Sequence, residues 1–342
     1  MLHYVILACV EIMSTLNHKY IVFLQDTTIM RDKNTICSIL IPCFQRAELL
    51  KIGLNSLSKA IIHCSYPCEI LVLNDGLEDD TKYICKEFEN ILNIRYIFTG
   101  QRNKPNEIKW RCPGFPLNIG AKQAKGKYLI ITGPEIFHLN DDILQKTIYE
   151  IKQRQKVIVI PYGYDDIHEE FLNCIRSTPP AGSINLMCSS ADRYGNAKHE
   201  IMYNNSKMTM ASLHTNLPFF LGVHTKEFVD IGGYDEDFAG IAFDDADLVD
   251  RLQENGCKYV KIDCCVVHLF HERHQKLGRE FKNKELQKRH DQNKDLYEYK
   301  KDKGIIIRNQ NKEWGVLNNN EWRINEVAAH LHTKDGSFLL GE

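Results

Sequence analysis

The chain of 342 residues has no surplus of charge of either sign: 43 Lys and Arg stand against 45 Asp and Glu, a formal net charge of −2. That balance carries no whole-chain basic signature and excludes a general electrostatic binder of nucleic acid. Paired C-x-x-C spacings are also missing. The 12 cysteines are scattered, Cys9, Cys37, Cys43, Cys64, Cys68 and Cys85 among them. In a chain this long such usage reads as reduced, buried thiols in a cytoplasmic protein, not as a disulfide framework. Cys257, Cys264, Cys265, His268 and His271 fit none of the usual structural zinc spacings, and KYVKIDCCVVHL alternates like a strand. No proline- or serine-rich linker divides the chain, and no internal repeat is visible. Long hydrophobic runs are lacking. The apolar start, Met1 to Met13, carries Glu11, has no basic lead or small-residue cleavage site, and is too short to span a bilayer. This predicts no transmembrane segment, leaves peripheral membrane contact open, and says nothing of oligomeric state.

What is present from Ile36 onward is a run of short apolar strands alternating with helices. ICSILIP reads as a buried strand closed by Pro42; Leu50, Leu54, Leu57 and Ile61 then recur at helical spacing. EILVLND is a second strand, Asp79 or Asp80 opens a helix, and IRYIF is a third strand. Asn118 to Lys125 reads as a short helix, KYLIIT as a fourth strand, Ile143 to Ile151 as a helix and KVIVIP as a further strand. Such β-α-β-α alternation predicts an α/β fold with a mostly parallel central sheet flanked by helices. Ligands of such sheets sit beyond the carboxyl ends of the strands. Gln45-Arg46, Asn74-Asp75-Gly76 and Gly133-Pro134-Glu135 all fall there. Residues 164–211 lack strong periodicity and are expected to be irregular, as lids and binding segments are. Gln275 to Lys303 is a charged helical stretch, read as a solvated surface helix with a phosphate- or membrane-binding role as the alternative. The tail IIIRNQNKEWGVLNNNEWRI resembles a small hairpin. The expected divisions are an extra element over 1–35, a main domain over 36–275 with halves 36–162 and 163–275, and a helix-and-hairpin extension over 276–342.

The densest chemistry lies in GGYDEDFAGIAFDDADLVDRL, residues 232–252, followed by His268 in VVHLFH. Two glycines and an aromatic make a turn, and a loop delivers Asp244, Asp245 and Asp247 ahead of a helix whose Leu248 and Leu252 fix its apolar face. Acids at a helix start also complement the helix dipole. Carboxylates crowded at one point with a histidine nearby suit deprotonation of a hydroxyl beside a metal-bound anion.

SILIPCFQR, EILVLNDG, NIGAKQAKGKY and GGYDEDF…FDDADL, in that order, resemble a family 2-type glycosyltransferase of the GT-A fold. The second half is similar to the galactosyltransferase-like half of polypeptide N-acetylgalactosaminyltransferases and chondroitin-polymerase-type enzymes. The resemblance spans Ile36 to His274. It implies an inverting transfer of a hexosyl or N-acetylhexosaminyl group from a nucleotide-sugar donor, a UDP-sugar, to a glycan, lipid-linked or protein acceptor. By it, Pro42, Gln45 and Arg46 hold the nucleotide; Asp75 reads the uracil ring, as a carboxylate accepting the ring N–H would. Arg111 and Asn118 lie ahead of the fourth strand, where the family has a donor-facing polar residue; Asn118 is equally suited to capping the helix.

Gly133-Pro134-Glu135 departs from the family's D-x-D: a glycine replaces the first acid and Glu135 the second, which puts the metal requirement in doubt. Glu135 with His268, the family's metal histidine, suffices for a divalent cation when phosphate and water complete the shell, and the nitrogen favours Mn²⁺ over Mg²⁺. If the local backbone is extended, His268 and His271 point to opposite faces and only one joins the site. Asp245 matches the general base and Asp244 an acceptor-orienting acid; Gly232, Gly233 and Tyr234 are placed against the acceptor. Phe219, Phe220 and Tyr234 are read either as an apolar wall for a sugar or as core. Two rivals are a GT-A module that binds without turnover, which the lost acid favours, and a nucleotidyltransferase, which the glycine-free CFQRAELL disfavours.

Overall fold

The computed structural model describes residues 35–75, 79–99, 112–177, 185–191, 197–203, 205–273, 276–277, 280–317 and 323–325. Residues 1–34 of the expected element over 1–35, Gly76, Arg111 and His274 lie outside them. The chain runs β1 (Cys37–Cys43), α1 (Ala47–Ile62), β2 (Cys68–Asn74), α2 (Thr81–Phe88), β3 (Ile94–Phe98), α3 (Gly114–Gln123), β4 (Tyr128–Thr132), β5 (Ile136–His138) and α4 (Ile143–Gln153). It continues through β6 (Val157–Asp165), α5 (Glu170–Ser177), β7 (Asn185–Ala191), β8 (Ala197–Tyr203), β9 (Ser206–Ser212), β10 (Phe220–His224), α6 (Thr225–Asp230) and α7 (Asp244–Glu254). Last come β11 (Lys258–His268), β12 (Lys276–Leu277), β13 (Glu280–Phe281), α8 (Lys284–Asp302) and β14 (Arg323–Asn325).

Strands β3, β2, β1 and β4 lie side by side in parallel, as the near-continuous apolar runs require when helices cover both faces. Beyond β4 the sheet turns antiparallel through β10 and β6, and β6 then carries β11 in parallel. The α/β architecture with a central sheet flanked by helices is therefore the observed one, a parallel core extended by antiparallel strands. Leu50, Leu54 and Leu57 of α1 pack on one face with Ile39, Val72 and Ile130. On the other face Leu117 of α3 and Leu248 and Leu252 of α7 pack against Leu40, Leu71 and Ile131. Both cores draw on the two halves of the chain, so the strand tips and the acidic helix belong to one packed body. At the far end of the strands buried Glu69 accepts from Ser38, Arg95 and the Lys125 backbone, locking the edge opposite the site.

Three expectations are corrected. Residues 164–211 are expected to be irregular, but among the described residues α5 is followed by the antiparallel meander β7-β8-β9. Ile201 and Tyr203, then Met208 and Met210, alternate inward onto Phe171, and that period of two is a strand signal diluted by polar neighbours. The charged helix begins at Lys284, after the short β12-β13 pair, with Asn283 accepting from the Leu286 N–H as its cap. The tail forms no hairpin among the described residues. Ile305 to Ile307 are not strand, and β14 adds instead to the edge of β3.

Candidate functional site

The carboxyl ends of β1, β2 and β4 open into a cleft of about 530 Å³, within the usual range for small-molecule sites. Pro42, Gln45, Arg46, Asp75, Glu135, Tyr234 and Asp245 all line it, together with Gly240, Ile241 and Glu272. Asp75 is set by the parallel register, its N–H bonded to the Cys43 carbonyl; its Oδ1 accepts from the Thr99 hydroxyl at 2.7 Å. Asn74 thus ends a parallel strand, with Asp75 directly after it.

Glu135 and His268 are brought together by strand pairing. β5 runs antiparallel to β11 with Ile136 opposite His268, and the Leu269 N–H bonds the Glu135 carbonyl. On its other side β11 is parallel to β6, which sets His268 opposite Asp165. His268 Nδ1 lies 3.0 Å from Asp165 Oδ1, and Nε2 faces Glu135 Oε1 at 3.8 Å. Burial alone would raise the Glu135 pKa, but His268, Arg46 and His271 outweigh it and hold the carboxylate down at about 2. Burial would likewise lower His268, yet Asp165 and Glu135 leave it raised. Arg273 also bonds Asp165, at 2.9 Å.

His271 joins this group, which corrects the expectation that only one histidine would. The strand ends at His268, so the alternation of an extended backbone no longer governs His271, and its ring stands 5.0 Å from that of His268. One ligand atom each from Glu135, His268 and His271 lie within 4.8 Å of one another. Burial and then the charge of Arg46 bring the His271 pKa down to about 4, so it is neutral at pH 7. Its Nδ1 bonds the Glu272 carbonyl, leaving Nε2 as the free acceptor. Glu135 Oε2 is buried without a hydrogen-bond partner. An orphaned carboxylate oxygen beside two imidazoles is a donor set that fits a divalent cation. Gly133 is part of the same arrangement: a Cβ there would stand 3.2 Å from the Glu135 carboxyl carbon, so the glycine leaves room for the longer acid.

Asp245 faces the cleft from the first turn of α7. It is half-buried at the cleft wall, and its Oδ1 accepts from the Tyr234 hydroxyl at 3.0 Å. Burial pushes its pKa up to about 6, with the Tyr234 hydrogen bond pulling the other way. Asp244 behaves differently from expectation: it does not line the cleft but sits beside the Cys112 thiol, with Oδ2 buried and unpartnered. Burial and then Asp245 drive its pKa well above the carboxylate range.

The other corrections concern residues that hold the site. Asn118 neither caps α3 nor faces the cleft, for the helix starts at Gly114. Its Oδ1 accepts from the Tyr234 N–H at 2.8 Å, and its Nδ2 donates to the Tyr234 carbonyl and Glu236. Gly232 and Gly233 likewise face protein. At φ +77° and +64°, a Cβ would meet the Arg308 carbonyl at 2.1 Å and Asn118 Oδ1 at 2.4 Å. Of the three aromatics, Phe219 and Tyr234 reach the cleft and Phe220 is core. Sequence reasoning missed Thr99, Asp165 and Arg273. Asp165 had a readable signal, an acid ending a buried strand; the other two acquire their partners only through the fold.

Curated relatives share this sequence at low identity. A chondroitin synthase of Pasteurella multocida (strain Pm70) is 26% identical over 249 residues, 68% of this chain and 24% of the relative. A validoxylamine A glucosyltransferase of Streptomyces hygroscopicus subsp. jinggangensis (strain 5008) is 25% identical over 239 residues, 65% of this chain and 52% of that protein. The chain thus spans between a quarter and about half the length of these relatives. Among solved structures, S. aureus TarS 1-349 in complex with UDP aligns with a TM-score of 0.45 and 17% identity, over 68% of this chain and 60% of that one. The profile of Glycosyl transferase family 2 matches residues 38–213, just over half of the chain, and the chain belongs to that family.

Proposed function

We propose that this chain transfers a hexosyl-type sugar from a nucleotide-activated donor, a UDP-sugar, to a hydroxyl of a glycan, lipid-linked or protein acceptor with inversion. The observation that carries the reading is that Asp75, Glu135 and Asp245, far apart in sequence, line one cleft at the strand tips. Family membership and relatives named chondroitin synthase and validoxylamine A glucosyltransferase support the reaction class.

The nucleotide lies over Pro42, Gln45 and Arg46, with Asp75 accepting the uracil N–H. A sugar hydroxyl is a weak nucleophile, so its proton must leave as the new bond forms. Asp245 takes that proton: with its pKa raised by desolvation it is a stronger base than an exposed aspartate, and its Tyr234 bond keeps one oxygen oriented. The hydroxyl oxygen attacks the anomeric carbon from the side opposite the diphosphate, whose C–O bond breaks. Glu135, His268 and His271 would hold a divalent cation, Mn²⁺ in preference to Mg²⁺ given two nitrogens, and such an ion supplies positive charge against the leaving diphosphate. Asp165 orients His268 through Nδ1, the usual support for a ligating imidazole. Asp244 stands behind Asp245, its pKa raised by burial and then by the charge of Asp245.

The experiment is a nucleotide-release screen over a panel of activated sugars with candidate acceptors, with and without Mn²⁺. Release of UDP from one UDP-sugar, enhanced by Mn²⁺, is expected. Gly133 in place of an acid favours the second reading, a module that binds sugar nucleotide without turnover. Tight UDP binding with no release from any donor would select that reading.

A further inference from the structure

The loop that delivers Asp245 has a backbone that does not hold itself. Gly240, Ala242 and Phe243 have φ values of +87°, +70° and +69°, so two side-chain-bearing residues in succession adopt the left-handed region just before α7. Such a turn persists only where its surroundings over-determine it, and the carbonyls it turns out of regular structure need donors.

The donors come from α8. Over its 19 residues this helix buries only Leu286 and Asn293, so it has almost no apolar face with which to dock. The Asn293 amide is 4% exposed and meets the loop from four sides. Its Nδ2 donates toward the carbonyls of Ile241 at 2.8 Å, Ala239 at 3.1 Å and Ala242 at 3.1 Å, and its Oδ1 accepts from the Ala239 N–H at 3.3 Å. One helical turn to either side, the rings of His290 and Tyr297 lie 5.2 and 5.5 Å from that of Phe243. The Tyr297 hydroxyl then reaches Asp250 of α7. Positions 290, 293 and 297 share one face of α8, and that face is spent on the loop whose Gly240 and Ile241 line the cleft.

We propose that Asn293 is a positioning residue for the transfer reaction: α8 is the clamp that holds the 239–243 loop in its left-handed turn and so fixes Asp245 against the substrate hydroxyl. This rests on the reading of Asp245 as the base. An error of about 1 Å in such a group can cost on the order of a hundredfold in rate. Beyond the loop, Asn293 also donates to Cys112 Sγ at 3.9 Å, ahead of α3, whereas the donor side of the cleft is built on β1, β2 and β4.

The test is Asn293→Leu, which keeps the volume and removes the four hydrogen bonds to the loop, with Tyr297→Ala as a milder variant at a half-buried position. Hydrogen–deuterium exchange is read across the whole 342-residue chain, UDP affinity by calorimetry, and turnover with the sugar nucleotide that the wild type consumes. The expected result is faster exchange confined to residues 239–247, UDP affinity within about twofold of wild type, and a fall in kcat of about tenfold or more at unchanged donor KM. Tyr297→Ala should move each readout the same way by less. Unchanged loop exchange in both folded variants, or turnover that falls only in step with UDP affinity, would overturn the proposal. Should the wild type consume no donor, the exchange arm still decides whether α8 clamps the loop, and the failure then lies with the assignment of Asp245.

Discussion

At the scale of single residues, the site is a set of charged groups whose neighbours hold them in the states the chemistry needs. Asp245 is raised to about 6 by burial while the Tyr234 hydroxyl lowers it. A base works deprotonated, so transfer should rise with pH through about 6 and then level off. Tyr234→Phe removes the group that favours the anion, so the rising limb should move to higher pH; a pH–rate profile of the two proteins checks it, and an unmoved limb would separate Tyr234 from the base. Asp165 holds His268 by Nδ1. Asp165→Asn should weaken Mn²⁺ binding roughly 10–100-fold, read by titration with electron paramagnetic resonance. Equal affinity in the variant would remove His268 from the ligand set.

At the scale of elements, α7 and the segment after α8 are joined by buried charge. Arg308 pairs with Asp235 at 3.0 Å and Asp247 at 2.5 Å, and Arg251 of α7 bonds Asp247 and the Ile231 and Gly233 carbonyls. Removing one partner strands the others in a low-dielectric interior. Arg308→Leu should therefore cost about 3–5 kcal/mol in a denaturant titration. A loss under about 1 kcal/mol would show that the network is no more than a surface pair. Elements were legible in proportion to their apolar rhythm. β1, β2, β4 and β11 read as strands because both faces or every second position is apolar. β9 did not, since Ser206, Lys207 and Ser212 are exposed and within it only Met208 and Met210 keep the period. α8 read correctly as a helix, but its one decisive residue was invisible, because an asparagine among charges has no signal until Ala239 and Ile241 come to meet it.

At the scale of the whole molecule, the account depends on the second half of the chain closing over the strand tips of the first. Asn118 and Tyr234 tie the halves through backbone and side chain, 116 residues apart. The candidate site was readable to the extent that its groups stand at strand ends or in acidic clusters, as Asp75, Glu135 and Asp245 do. Which of the neighbouring residues face inward was not: Asp244, Asn118, Gly232 and Gly233 turned out to serve the packing around Asp245, since adjacent positions on a helix or turn diverge by about 100°. His271 was misjudged because the strand it was assigned to stops three residues earlier. The most direct measurement compares wild type and Asp245→Asn for UDP binding and for UDP release from the sugar nucleotide that the wild type consumes. The account predicts near-equal UDP affinity and a loss of release of about 10²–10⁴-fold in the variant. Undiminished release by Asp245→Asn would contradict it.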